Sequence, residues 1–162
     1  MGKKEILELI KSRNIWYEIT EHQAVFNMDD LRQVYLPYPN DDAKNLFVRD
    51  DKKQNYYLIS VKGDKRVDLK EFKAKYGTRR LSFASANDLM IILKLSPGSV
   101  SPFGLLNDQD LKATFYLDED FTKDQSIIGV HPNDNTATLW LKVEDLIEII
   151  EEHGNEINYF KF

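Results

Sequence analysis

The sequence contains no cysteine and is poor in glycine and proline, with 7 and 5 of these residues among 162. Without cysteine the chain has no disulfide bond and no thiolate metal ligand, which is typical of a protein from a reducing compartment, so we expect a cytoplasmic location. No apolar run approaches the ~18 residues of a membrane span. Charged residues interrupt residues 1–20, which is atypical of a secretion signal. We therefore expect no membrane association.

Several signatures of enzymatic chemistry are also missing. The histidines, His22, His131 and His153, lie far apart and form no closely spaced ligand pair. The chain has no glycine-rich phosphate loop, no dinucleotide fingerprint and no nucleophile elbow. These absences argue against nucleotide hydrolysis and hydride transfer, and they predict a protein with no metal and no cofactor.

The residues that are present indicate a folded domain. Hydrophobic residues make up 42% of the chain and aromatic residues 12%, enough apolar material for the core of a protein this long. No repeat or flexible linker divides the sequence, so residues 1–162 are predicted to form a single domain. Helical and strand patterns are mixed along the chain. We predict an α/β fold with a mixed, largely antiparallel sheet and helices packed on it.

Local sequence signals predict where the helices and strands begin and end. Asp68 is a predicted N-cap and Gly77 a left-handed C-cap of one helix, Ser85 caps the next, and Asn27 caps a short helix that ends before Pro37. Further helices are predicted over residues 3–14 and 144–153. Strands are predicted over residues 15–20, 46–48, 56–61, 113–117, 126–130, 136–142 and 157–162. The second and third strands form a predicted hairpin, and a turn over residues 132–135 joins the fifth and sixth.

Charge is segregated along the chain, although the net charge is only -5. Residues 44–80 hold 12 Lys and Arg against 5 Asp and Glu, whereas residues 107–162 hold 4 against 13. One interpretation is a well-solvated surface helix and turn. The other is a local phosphate-binding face that contacts one end of an RNA.

Two segments carry side chains suited to chemistry, each with a plain structural alternative. Lys44 and Asn45 stand at the start of an apolar strand, where the ammonium is either solvated or a point charge for a phosphate or an oxyanion. The loop over residues 96–104 offers the hydroxyls of Ser99 and Ser101, or is simply a rigid connection. A serine nucleophile is the weaker option, because it needs a base within hydrogen-bonding reach.

A third segment covers residues 129–138. Gly129 allows a ligand close to the backbone, so that its N–H can serve an oxyanion, and His131 can hold a substrate group or a water. The alternative is a tight hairpin with an exposed histidine.

Five segments, taken in order, resemble the YbaK/ProX family of aminoacyl-tRNA deacylases, the free-standing relatives of the editing domain in bacterial prolyl-tRNA synthetases. They cover residues 44–50, 63–69, 80–84, 96–104 and 129–138. The Ser-Pro-Gly and His-Pro-Asn-Asp-Asn motifs in the last two are most similar to the PrdX/ProXp-ala branch. That resemblance implies hydrolysis of alanine from tRNA(Pro), with the acceptor end of the tRNA as partner and prolyl-tRNA synthetase as a second possible partner.

The resemblance also implies roles for individual residues. Lys44 would anchor the terminal phosphate or the ester, Asn45 would orient the same end, and the Gly129 N–H would meet the ester carbonyl. His131 and Ser101 would line the aminoacyl pocket, and the ribose 2′-OH would assist the water, with no metal or cofactor. Further implied substrate contacts are His22, Phe103 and Pro132, and implied tRNA contacts are Lys65, Arg66, Arg79 and Arg80.

Two other functions stay open at this stage. The first is a non-catalytic module that senses an amino acid or an aminoacyl-tRNA. The second is a deacylase for another small residue, serine or cysteine. The presence of Lys44 favours catalysis over sensing. The sequence leaves the oligomeric state open.

Overall fold

The structure is a computed structural model that describes residues 1–26, 29–30, 34–63 and 65–161. The N-cap predicted at Asn27 lies outside these ranges. Within them, no helix is long and apolar enough to cross a membrane.

The described residues form helices and strands close to those predicted. The helices are α1 (Lys3–Ser12), α2 (Leu69–Tyr76), α3 (Ala86–Ile92) and α4 (Val143–His153). The strands are β1 (Tyr17–Glu21), β2 (Ala43–Asp50), β3 (Tyr56–Lys62), β4 (Leu81–Phe83), β5 (Ala113–Asp118), β6 (Ile127–Val130), β7 (Ala137–Lys142) and β8 (Ile157–Phe160). Two 3-10 helices, over Pro102–Asn107 and Glu119–Phe121, complete the set.

The predicted caps at Asp68, Gly77 and Ser85 are confirmed. The Asp68 carboxylate accepts the backbone N–H groups of Lys70 and Glu71, and Gly77 ends α2 with a φ of 68°. The Ser85 hydroxyl accepts the N–H of Asp88 at the start of α3. These side chains satisfy backbone groups that a helix end leaves without a partner.

The strands form two sheets. The smaller has the order β1-β7-β6 and is antiparallel throughout. The larger has the order β4-β2-β3-β5-β8, with antiparallel pairing from β4 to β3 and parallel pairing from β3 to β8. The predicted α/β class with mixed, largely antiparallel pairing is confirmed, and the strands are divided between two sheets.

The larger sheet is covered by apolar side chains on both faces. Because successive residues of a strand point to opposite faces, Phe47 of β2 joins the main core whereas Val48 joins a smaller core. Helices α1, α3 and α4 contribute to the main core, and α2 covers the smaller one through Phe72.

Strand β4 was not predicted. It has only three residues, of which Leu81 alone is buried. A run this short shows no alternation from which a strand can be recognised. Its pairing with the end of β2, where Asp50 lies opposite Leu81, defines it.

The two sheets meet at one point. Asp42 and Gly129 form an isolated parallel β-bridge, and the Gly129 N–H donates to the Asp41 carbonyl at 2.9 Å. The beginning of β2 therefore lies beside β6, so that the two sheets share a continuous face at this junction.

Candidate functional site

The candidate site occupies one face of the joined sheets. Gly129 lies opposite Trp140, and Thr138 lies opposite Thr20. The side chains of bridge partners project to the same side, so Asp42 shares the face of Gly129. Lys44 comes two residues after Asp42 in the strand and therefore lies on that face as well. We call this the site face, and its members are Thr20, His22, Lys44, Gly129, His131, Thr138 and Trp140.

Lys44 is the cation of the site face. Its side chain is half-buried, and no described residue forms a hydrogen bond or an ion pair with its ammonium. It lies two residues beyond the Asp42 to Gly129 bridge. The structure thus brings together the two segments that the sequence analysis treated separately.

Asn45 lies on the opposite face of β2. Its Oδ1 accepts a hydrogen bond from the hydroxyl of Ser60, which is fully buried, at 2.5 Å. The resemblance implied that Asn45 orients the substrate end beside Lys44, whereas in this structure its side chain lies on the other face and is bonded to Ser60. The reason is the period of a strand: neighbours cannot both point into one cleft.

The tautomer of His131 follows from its hydrogen bond. Its Nδ1 lies 2.9 Å from the carbonyl oxygen of Ala137, which can only accept, so Nδ1 carries the proton and Nε2 has a free lone pair. Burial lowers the pKa of His131, and nearby His22 lowers it further, although the bond to Ala137 acts in the opposite direction. The imidazole is thus neutral at physiological pH.

His22 lies beside His131. The two ring centroids are 6.3 Å apart. His22 Nδ1 is 2.8 Å from the Gln23 carbonyl, and its Nε2 is 2.9 Å from the Thr138 hydroxyl. The carbonyl fixes the tautomer, so the Thr138 hydroxyl donates to Nε2. Within the described residues no three His, Asp or Glu side chains form a group that could hold a metal ion.

Ser101 holds the backbone of the histidine loop. Its hydroxyl donates to the carbonyl of His131 at 2.5 Å and accepts the N–H of Phe103 at 3.2 Å. Ser101 is fully buried and Pro132 is also buried. Instead of lining the pocket as implied, Ser101 positions His131, because both its donor and its acceptor are already used.

Phe103 belongs to the interior. It has no exposed surface and packs within the main core. The implied contact with substrate is therefore not made in this structure. The 3-10 helix over Pro102–Asn107 turns this side chain inward, which the loop composition did not indicate.

Gly129 has a packing role that replaces the one implied. Its N–H already donates to Asp41, so it is not available for an ester carbonyl. A Cβ on Gly129 would lie 2.4 Å from Cζ3 of Trp140. The glycine is required because the tryptophan ring lies directly against it.

Three members of the site face, Thr20, Thr138 and Trp140, were not predicted from the sequence. Trp140 is fully buried, and its indole N–H donates to the Thr20 hydroxyl at 3.0 Å. Tyr38 lies over the indole at a centroid distance of 5.4 Å. The alternation within β7, where Leu139 and Leu141 face the main core, was the signal that could have placed Thr138 and Trp140 together on the opposite face.

Two of the four implied tRNA contacts are neutralised by carboxylates. The Lys65 ammonium pairs with Asp118 at 2.8 Å and with Asp120. Arg79 makes a two-pronged contact with Asp51, at 2.6 and 3.0 Å. Both cations therefore already have carboxylate partners in this structure.

The other two implied contacts remain available. Arg66 and Arg80 are exposed, and no described residue pairs with them. The exposed lysines of α2, Lys70, Lys73 and Lys75, lie in the same basic region of the chain.

Residues 22–149 match the family model of the aminoacyl-tRNA editing domain. The prolyl-tRNA editing protein ProX of Acetoanaerobium sticklandii is 37% identical over 154 residues, 95% of this chain and 93% of that protein. The prolyl-tRNA synthetase associated domain-containing protein 1 of Danio rerio is 30% identical over 151 residues, 93% and 82% of the two chains. A solved structure of a candidate trans-editing enzyme for prolyl-tRNA synthetase shares the fold, with a TM-score of 0.70, 18% identity and coverage of 99% and 96%.

Proposed function

Because this chain belongs to the aminoacyl-tRNA editing domain family, we propose that it is a deacylase that removes alanine mischarged on tRNA(Pro). The reaction is hydrolysis of the ester between the amino acid and the 3′-terminal ribose. Water attacks the carbonyl carbon, the bond to the ribose oxygen breaks, and free alanine and uncharged tRNA are released. One observation carries the proposal: an ammonium that no described residue pairs with and a neutral imidazole with a free lone pair lie on one face beside the same β-bridge.

Lys44 supplies the positive charge that stabilises the intermediate of the reaction. In the tetrahedral intermediate the ester carbonyl oxygen becomes an anion, and a nearby cation stabilises it more strongly than the neutral ground state. Among the described residues no carboxylate pairs with this ammonium, so its charge is available for this purpose. The same charge attracts the phosphate of the terminal nucleotide.

His131 holds the amino acid or the attacking water. Its free Nε2 accepts a hydrogen bond, and the α-ammonium of alanine and a water molecule are both donors. Protonation of the imidazole would remove this acceptor and would place a second cation beside the α-ammonium. The lowered pKa of His131 avoids both effects.

No protein nucleophile is needed in this scheme. The Ser101 hydroxyl is committed to the His131 carbonyl. An ester is activated enough for a positioned water to attack, and the ribose 2′-OH beside it assists that water. The protein contributes charge, orientation and a pocket of limited size.

Pocket size accounts for the choice of alanine. A synthetase site built for proline cannot strongly reject a smaller side chain, since each missing methylene is worth only about 1–3 kcal/mol. A second site that excludes the proline ring completes the discrimination. Tyr38, which packs on the buried Trp140 ring, forms a rigid wall suited to such exclusion.

The partner of the site is the acceptor end of the tRNA. Arg66, Arg80 and the exposed lysines of α2 supply positive charge on an otherwise acidic chain, and none of them forms an ion pair with a described residue. With few phosphate contacts, affinity is modest and depends on salt. Prolyl-tRNA synthetase is a proposed second partner, in keeping with the printed name of the Danio rerio relative.

The test is a deacylation assay with Ala-tRNA(Pro), Pro-tRNA(Pro) and Cys-tRNA(Pro). We expect rapid loss of the alanyl ester and slow loss of the other two. Lys44→Ala should lower kcat by about 100- to 1,000-fold, the usual effect of removing one group that stabilises an oxyanion. Lys112→Ala, on an exposed lysine outside the site face, is the matched control and should leave the rate unchanged.

Three results would contradict parts of the proposal. Equal hydrolysis of all three esters would remove the alanine specificity. An unchanged rate in Lys44→Ala would remove the mechanism. Preferred hydrolysis of the cysteinyl ester would reassign the substrate.

A further inference from the structure

Phe26 is exposed although its ring is held in place. The side chain is 65% exposed. Its ring nevertheless contacts the backbone of Gly98, because a Cβ built on Gly98 would lie 2.6 Å from Cδ1 of the phenylalanine. Gly98 also has a φ of 90°, which disfavours any residue with a side chain. One part of the ring thus packs against Gly98, and the rest of the ring surface faces solvent.

Hydrogen bonds hold the backbone around Phe26 at the rim of the site face. The preceding residue, Val25, donates its N–H to the Asn135 carbonyl at 3.2 Å, and its own carbonyl accepts from Asn135 Nδ2 at 2.9 Å. The Phe26 N–H donates to the Asp30 carboxylate at 3.1 Å. Phe26 is four residues from His22, so the two Cα atoms are at most about 14 Å apart.

Gly98, against which the ring packs, is also connected to the site. Gly98 belongs to the loop that contains Ser101, and the Ser101 hydroxyl donates to the carbonyl of His131. Phe26, Gly98 and His131 are therefore connected through direct contacts and one loop. An exposed apolar ring held in this way is preorganised for a flat apolar partner.

We infer that Phe26 is a stacking platform for the terminal adenine base of the tRNA. This inference rests on the proposed function, since an ester held at His131 places its own ribose and base at the rim of the cleft. Every nucleobase has a π-face, and stacking on an aromatic side chain orders a single-stranded 3′ end without reading sequence. Stacking would cover the ring surface that is exposed in the free protein. Phe26 is then a substrate-binding residue that acts on KM more than on kcat.

The test compares two alanyl esters of the same tRNA, one with the normal terminal adenosine and one with an abasic terminal ribose. With the normal substrate, Phe26→Ala and Phe26→Leu should lower kcat/KM by about 5- to 100-fold, mostly through KM. Phe26→Trp should keep the wild-type value, because stacking needs an aromatic ring. With the abasic substrate, wild type and all three variants should have the same reduced kcat/KM. Tyr159→Ala, at an exposed aromatic on the edge strand β8, is the matched control and should resemble wild type on both substrates.

The outcomes separate this inference from the proposed function. If Phe26→Ala impairs both substrates equally, or if Phe26→Leu is as active as wild type, the platform is overturned while the deacylase activity stands. If wild-type protein hydrolyses neither alanyl ester, both fail. Melting temperatures of all variants within the scatter of wild type establish that the comparison concerns folded protein.

Discussion

The α-carbon of Gly129 lies against the six-membered ring of Trp140, so closely that a Cβ would be 2.4 Å from Cζ3. The two residues are directly opposite each other in the β6 and β7 pairing. This contact, and not exposure of a backbone N–H to a ligand, accounts for the glycine at this position. It also brings the tryptophan ring under the face that carries Lys44 and His131.

Gly129→Ala is expected to destabilise the protein by about 1–3 kcal/mol, the cost of overpacking a well-packed interior. The free energy of unfolding from urea denaturation measures it. In a Trp140→Phe background the smaller ring leaves room for the new methyl group, so the same substitution should cost less. Equal costs in the two backgrounds would show that Trp140 is not the reason for the glycine.

Ser101→Ala is expected to lower stability by about 1–3 kcal/mol and to lower deacylation partially without abolishing it. The variant leaves the Phe103 N–H without its acceptor and frees the carbonyl of His131. Unfolding and deacylation measured on the same preparation test both parts. Ser99→Ala is the control, as Ser99 is a buried serine of the same loop. Complete loss of activity in a folded Ser101→Ala protein would support the serine nucleophile instead.

Activity and stability are both expected to decrease on acidification through His131. Its pKa is lowered in the folded protein from the ordinary value of 6.5. The unfolded chain therefore binds this proton more tightly than the folded chain. The contribution to stability is fully present above pH 6.5 and is lost as the pH falls from 6.5 through the lowered pKa.

His131→Asn isolates this effect, because an amide N–H can keep the bond to Ala137 and does not titrate. The pH dependence of unfolding should be flatter in the variant than in wild type below pH 6.5. The acidic limb of the kcat/KM profile in wild type should lie below pH 6.5. An acidic limb above that value would assign the titration to another group.

Individual cations of the basic region are expected to differ in their contribution to tRNA binding. Arg66→Ala and Arg80→Ala should each weaken binding and reduce the slope of log K against log salt by about 0.7–0.9. Arg79→Ala and Lys65→Ala should change that slope little, since carboxylates already neutralise both cations. Titrations at several salt concentrations measure the slopes.

Lys65→Ala should have its main effect on stability. Asp118 is almost fully buried, with 2% of its side chain exposed, and it loses its cation in this variant. We expect a loss of about 1–2 kcal/mol, less than for a fully buried pair because the lysine itself is 35% exposed. A stable Lys65→Ala protein with a reduced salt slope would return this lysine to the tRNA interface.

The sequence predicted most of the fold because its signals are local. The caps Asp68 and Ser85 and the glycine end of α2 were found, since each depends on residues within one helical turn. The hairpin between β2 and β3 and the turn between β6 and β7 are also contacts between neighbours in the chain. The resemblance to the YbaK/ProX family, which depends on several short motifs in order, is confirmed by the family match over residues 22–149.

The site was predicted less completely, because the direction of a side chain depends on the strand that holds it. Lys44 and Asn45 are adjacent in the sequence, but the pleat of β2 sends them to opposite faces. Phe103 was assigned to the substrate, yet the 3-10 helix turns it into the core. The sequence does not show that Arg79 pairs with Asp51 or that Lys65 pairs with Asp118, because both pairs join residues far apart in the chain.

Composition and motifs by themselves determined the α/β class, the chemical groups available and the family to which the chain belongs. The tertiary structure alone decided which of those groups meet. The parallel bridge between Asp42 and Gly129 joins segments 87 residues apart and places Lys44 on the face of His131. Long-range pairing of this kind depends on the packing of both sheets, so no local pattern encodes it.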